Sequence, residues 1–176
     1  MKFDKSNKII LIVFSCLFIV ISLLASSNIS NMNKELELNE NGLTIEINNQ
    51  TVKMFSLQEI HNLKSEEIEI TQYSNGGPPV ERNLTAVKII DILELSNVDV
   101  NEINEVVVTA LDGFSAKFTK DEILDDNKVY IFYLENGFKL DEKWGNFATA
   151  CNGDESSTRW LKQTYKINVI MDSKDE

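Results

Sequence analysis

The stretch EVVVTALDGFSAKFTKDEI, residues 105 to 123, restricts what this chain can fold into more than any other. Three consecutive valines lead to Asp112-Gly113, and beyond them Phe114, Ala116 and Phe118 alternate with polar residues. Asp-Gly between alternating runs is a strong local signal for a β-hairpin, because its tight turn needs residues that tolerate positive φ. Such a pair buries one face and must pack it against a further layer.

Similar patterns recur along the chain. GLTIEI (Gly42 to Ile47) and TVKMF (Thr51 to Phe55) flank NNQ and predict a first hairpin. Ser56 followed three residues later by Glu59 has the capping-box spacing for a short helix in SLQEIHNL. EEIEITQY, Glu66 to Tyr73, alternates as a strand does. SNGGPPVERN, residues 74 to 83, reads as a loop around Gly76-Gly77-Pro78-Pro79. TAVKIIDILELS then predicts a helix capped by Thr85, with Val87, Ile90 and Leu93 at helical spacing. Beyond the opening hairpin, TKDEILDD predicts a short capped helix and KVYIFYLE a buried strand. NGFKL reads as a turn and extended segment, NFATAC as a strand and NGDESST as a polar loop. YKINVIM closes the series, with Tyr165, Ile167, Val169 and Met171 on one face. Just before it, TRWLK predicts a buried Trp160 between outward-facing Arg159 and Lys162. No repeat and no second core are visible. The expectation is one α+β domain over residues 41–172, mostly β with short helices, and a polar tail at 173–176.

The N-terminus carries a separate message. Lys2, Lys5 and Lys8 precede IILIVFSCLFIVISLLA, seventeen residues from Ile9 to Ala25 without a charge. A basic start and an apolar core mark an export signal or a single membrane anchor, with the lysines inside. Three readings stay open: an anchor through residues 9–25, a signal cleaved near Ala25-Ser26-Ser27, or a lipoprotein built on Cys16. Each predicts a domain outside the cytoplasm, membrane-tethered or secreted, after a polar linker at residues 26–40. The 176-residue chain has a formal charge of −11. Residues 1–25 hold three lysines and one aspartate, so the remainder is more acidic still. With no basic stripe, nucleic acid is excluded as a partner class.

Searches for catalytic motifs return little. Neither G-x-S-x-G, a P-loop nor G-x-G-x-x-G occurs. His61, the single histidine, lies on a short helix among Leu57, Ile60 and Leu63 and reads as a packing or surface residue. Cys151 reads either as a reactive thiol or, more simply, as a small buried side chain. Asp121-Glu122, Asp125-Asp126 and Asp141-Glu142 lack calcium-loop spacing and read as solvated acidic surface. The Asn-x-Ser/Thr triplets at Asn28, Asn49 and Asn83 matter only in a glycosylating host.

Order carries more than any single motif. Ala86-Val87 through Leu93, Asp112-Gly113-Phe114, Asn136-Gly137 with Leu140, Gly145, and Arg159-Trp160-Leu161-Lys162 follow one another in a definite sequence. In that order they resemble the molybdopterin-binding domain of the sulfite oxidase family, over roughly residues 50 to 171. The resemblance implies that family's fold. By resemblance, Tyr73, Arg82, Asp112, Arg159 and Lys162 are the candidates for contact with a molybdopterin cofactor. The departures are as informative. Residues Ile68 to Gly77, where the family places its molybdenum-binding cysteine, hold none, and Gln72 and Tyr73 are no substitute for a thiolate. Ala148 aligns with a pterin-contacting arginine, and the pocket histidines have no counterpart. The sequence therefore predicts a degenerate member: a non-catalytic binding or accessory module without cofactor, directed at a cell-envelope ligand or protein. The alternative is an active molybdopterin-dependent oxidoreductase with unusual ligation, with Cys151 recruited. An emptied pocket would lie between Tyr73 and Ala148 to Cys151, beneath residues 72–83, filled by side chains or open to another ligand.

Overall fold

A computed structural model describes residues 42–74 and 77–171. The expected apolar N-terminal segment, the linker and the tail after Met171 lie outside the described residues. Among the described residues, no helix is long and apolar enough to cross a membrane.

Among the described residues, ten strands form two sheets. The first has the order β2-β1-β10-β5-β6, from β1 (Gly42–Ile47), β2 (Gln50–Ser56), β5 (Ile103–Ala110), β6 (Ser115–Thr119) and β10 (Thr164–Met171). β1 and β10 run parallel, and the other neighbours are antiparallel. The second sheet has the order β3-β4-β7-β8, from β3 (Glu66–Gln72), β4 (Val80–Lys88), β7 (Val129–Glu135) and β8 (Phe138–Lys139). β9 (Ala148–Cys151) pairs with β7 along Val129–Phe132, whereas β8 pairs with Leu134 and Glu135. Among the described residues, three short α-helices accompany the strands, α1 (Leu57–His61), α2 (Ile89–Leu95) and α3 (Lys120–Leu124), together with three single 3-10 turns. The described residues thus form one β-rich α+β domain.

Local chemistry explains most of these elements. At the β5–β6 turn, the Gly113 N–H donates to the Ala110 carbonyl and the Phe114 N–H to Asp112 Oδ1 at 2.9 Å, with Gly113 at φ +86°. Strand alternation sends Val106, Val108, Ala116 and Phe118 into the core. Ser56 with Glu59 and Thr119 with Glu122 both form complete capping boxes at the starts of α1 and α3. β7 is buried from Val129 to Tyr133 because both its faces are covered there. Tyr133 stacks on His61 of α1 at 4.2 Å, while Phe132, on the opposite face, meets Trp144 and Trp160 edge-on at 5.5 and 6.1 Å.

Two expectations need correcting. Residues 80–83 are not loop, and Thr85 does not cap a helix. Val80–Lys88 is one strand lying between β3 and β7. α2 begins at Ile89, with Lys88 at its N-cap and no side-chain cap bond. Strand geometry wins because Leu84 and Ala86 face the core, while the backbone gains a partner strand on each side. Helical spacing governs only Ile89, Ile92 and Leu93, the buried face of α2.

Candidate functional site

The candidate residues other than Asp112 fall around the end of β9, the loop that follows it, and the neighbouring strands β3 and β4. β9 is buried along its whole length and leads into residues 152–160. The Asn152 N–H donates to the Lys128 carbonyl at 2.8 Å, which ties the start of this loop to the entry of β7. Its far end is fixed by reciprocal bonds between Thr149 and Leu161, and by a hydroxyl bond between Thr149 and Thr164 at 2.9 Å. Trp160, 8% exposed, donates from Nε1 to the Cys151 carbonyl at 3.1 Å. The burial expected for Trp160 is what the structure shows.

Arg159 does not face outward as its place in TRWLK suggests. Its guanidinium grips Asp154 with two bonds of 2.7 Å, Nε to Oδ2 and Nη2 to Oδ1, and Nη1 meets Glu122 Oε1 at 2.7 Å. The guanidinium carbon also lies 5.1 Å from the centre of the Phe118 ring. Lys128 Nζ donates to the same Asp154 Oδ1 at 3.1 Å. The buried Cys151 thiol completes the set beside the Asp154 carboxylate. Burial pushes the Cys151 pKa up to about 12, and the adjacent carboxylate adds to the shift. At Asp154 burial pulls upward, but the bonds from Arg159, Lys128 and Cys151 outweigh it and hold the carboxyl below its ordinary value. Glu122 behaves similarly: bonds from Thr119 and Arg159 overcome burial and lower its pKa. The Asp154 bonds, and then the Glu122 bond, raise Arg159 against the effect of burial.

Arg82 and Lys162 converge on a different group. The Arg82 guanidinium carbon lies 5.0 Å from the centre of the Trp144 ring, and Lys162 Nζ lies 5.2 Å from it. Arg82 Nε donates to Gln72 Oε1 at 2.6 Å, and Nη1 pairs with Glu135. Trp144 is buried, and its carbonyl accepts from the Gln163 N–H at 2.8 Å. Lys162 is exposed, as its sequence position predicts.

Tyr73 stands at the exit of β3 with its side chain 44% exposed. Its carbonyl accepts from the Ser157 N–H at 2.6 Å, which places the exit of β3 beside the loop that carries Arg159. Asp112 remains at its hairpin tip, where its carboxylate serves the turn. The five residues are thus divided. Arg82 and Lys162 share Trp144, Tyr73 bonds through its carbonyl to Ser157, two residues before Arg159, and no hydrogen bond or ion pair of the described residues links Asp112 to the others. Ala148, aligned with the family's arginine, is completely buried in β9.

Sequence reasoning missed Asp154, Glu122, Lys128 and Trp144. Asp154 sits in a run read as a polar loop, and Glu122 in an acidic pair read as solvated surface. The second reading is corrected by the ion pair of Glu122 with Arg159. Their partners are distant in the chain, so no local spacing announces them; only Thr119-x-x-Glu122 was legible, and as a helix cap.

No family model and no curated protein matches the sequence. Among solved structures, the fold is similar to the sulfane dehydrogenase SoxCD from Paracoccus pantotrophus, with a TM-score of 0.64 at 13% identity. The match covers 77% of this chain and 39% of that one, so this chain spans well under half of its structural neighbour. At that identity the likeness is one of fold.

Proposed function

We propose that this domain is a non-catalytic binding or accessory module that retains the framework of a molybdopterin oxidoreductase domain and has lost its cofactor chemistry. The ordered sequence resemblance to the sulfite oxidase family and the fold-level likeness to a sulfane dehydrogenase support the framework. The observation that carries the loss is the state of the candidate cations. Arg159 is committed to Asp154 and Glu122, Lys128 to Asp154, and Arg82 to Glu135 and Gln72. A phosphate-bearing pterin needs cations free to meet its charge; a carboxylate already occupies each of those three, which leaves exposed Lys162, over Trp144, as the one candidate cation among the described residues outside any ion pair. The one thiol among the described residues is held protonated against Asp154, the opposite of the thiolate that a molybdenum ligand must be. These residues do not fit molybdopterin, so no oxidoreductase step is assigned to them.

The basic-then-apolar N-terminus supports an extracytoplasmic position, tethered or secreted, for a ligand or protein of the cell envelope. A graft tests how deep the loss runs. Cysteine at Gln72 or Tyr73, combined with Ala148→Arg, restores the two most conspicuous missing groups. Expressed in a host that makes molybdopterin, these variants are expected to take up no molybdenum, because Arg82, Arg159 and Lys128 stay paired with carboxylates. Stoichiometric molybdenum in either variant sinks the proposal that the site is lost beyond its ligand and would favour the alternative, an oxidoreductase with unusual ligation.

A further inference from the structure

We propose that Asp154 is a built-in anionic ligand: its carboxylate fills an anion pocket made by Arg159, Lys128 and the Cys151 thiol, and a small free carboxylate takes its place when that side chain is removed. The inference stands on the geometry of this cluster and is independent of the binding-module reading.

Three N–H donors converge on one carboxylate. Arg159 supplies a two-pronged grip at 2.7 and 2.7 Å and Lys128 a bond at 3.1 Å, with the buried Cys151 lining the same pocket. The planar guanidinium fork matches two carboxylate oxygens and is the arrangement used to recognise a bound carboxylate. The Asp154 side chain is only 12% exposed, so the group is largely withdrawn from water. Its lining comes from separate parts of the fold: the entry of β7, the end of β9 and the turn Ser157–Arg159. Asp154 itself comes from the loop 152–160, between the last two of these.

The donors are held in place without Asp154. The Asn152–Lys128 backbone bond fixes the entry of β7 against the loop, and the Trp160 Nε1–H fixes the carbonyl of Cys151. Arg159 keeps its bond to Glu122 and its position over Phe118. Charge points the same way. Two cations, Arg159 and Lys128, face two carboxylates, Asp154 and Glu122, so loss of Asp154 leaves one uncompensated positive charge in a half-buried pocket. Such a pocket suits a monoanion with two coplanar oxygens. Formate and acetate have that shape, and chloride does not.

Full-length Asp154→Ala, Arg159→Ala and the double variant, solubilised in detergent, give the test. Thermal unfolding is followed at neutral pH with rising sodium formate, against sodium chloride at equal ionic strength. Wild type is expected to respond alike to the two salts, because Asp154 fills its pocket. Asp154→Ala is expected to melt on the order of 10 °C lower. Formate should then raise its midpoint along a saturating curve at millimolar or weaker affinity, as befits a ligand of three heavy atoms. Formate should also slow labelling of Cys151 in that variant, and the double variant should show neither effect. If Asp154→Ala is unfolded in chloride, formate must restore the fold. Equal behaviour in the two salts, or a formate response that survives loss of Arg159, overturns the proposal.

Discussion

Replacing Trp160 by alanine tests whether this residue is core or is available for stacking on a ligand. Trp160 is 8% exposed, meets Phe132 edge-on at 6.1 Å and bonds through Nε1 to the Cys151 carbonyl at 3.1 Å. Truncating a buried Trp to Ala costs about 3 to 5 kcal/mol from lost transfer energy and the cavity left behind. The orphaned Cys151 carbonyl adds about 1 to 3 kcal/mol to the extent that water does not reach it. A total on the order of 5 kcal/mol is comparable with the whole stability of a small domain, roughly 5 to 15 kcal/mol. Trp160→Phe separates the two parts: it keeps a ring against Phe132 and loses the N–H donor, so about 1 to 2 kcal/mol is expected. Urea unfolding monitored by far-ultraviolet circular dichroism reads both values, provided the slope with denaturant is unchanged. A loss below about 1 kcal/mol for Trp160→Ala would show that the indole contributes little to the core, and the packing described around β9 would be wrong.

Cys151 is expected to label about a thousandfold more slowly than an ordinary thiol at pH 8, since a pKa of about 12 leaves a correspondingly small thiolate fraction; fast labelling of the native protein contradicts this. Because that value is raised, its contribution is complete below the ordinary cysteine pKa and is lost as pH rises toward 12, so Cys151→Ala should flatten the alkaline fall in stability. Asp154 and Glu122 have lowered values, so their contribution is complete above the ordinary carboxyl range and disappears as pH falls below about 4. Acid unfolding curves of the Asp154→Ala and Glu122→Ala variants should therefore lie closer to flat than that of wild type. Gly145 has φ +72°, and a Cβ there would lie 3.0 Å from Gln163 Cα. Gly145→Ala is accordingly expected to lose about 1 to 3 kcal/mol in urea unfolding, and a neutral result would exclude this turn geometry.

Local signals carried much of the fold into the sequence. Asp112-Gly113 and both capping boxes bond within a few residues, so the pattern and the structure report the same short-range chemistry. β4 was illegible for the opposite reason. Val87 and Ile90 fit a helical period, but the strand is decided by β3 and β7, which lie elsewhere in the chain. The site was only half readable. Arg159 and Lys162 stand close together in TRWLK, and nothing local reveals that one turns inward to Asp154 and Glu122 while the other lies over Trp144. The adjacency of Tyr73 and Ser157 is likewise made by backbone and leaves no trace in residue types.

Molybdenum content tests the central claim most directly. The full-length protein, produced in a host with active molybdopterin synthesis and purified without chelator, is analysed for metal and for the fluorescence of released, oxidised pterin. The pairing of Arg82, Arg159 and Lys128 with carboxylates and a protonated buried thiol predict only trace molybdenum and no pterin signal above that of an unrelated protein purified in parallel. One molybdenum and one pterin per chain would contradict the account and make this domain a working member of the oxidoreductase class whose framework it resembles.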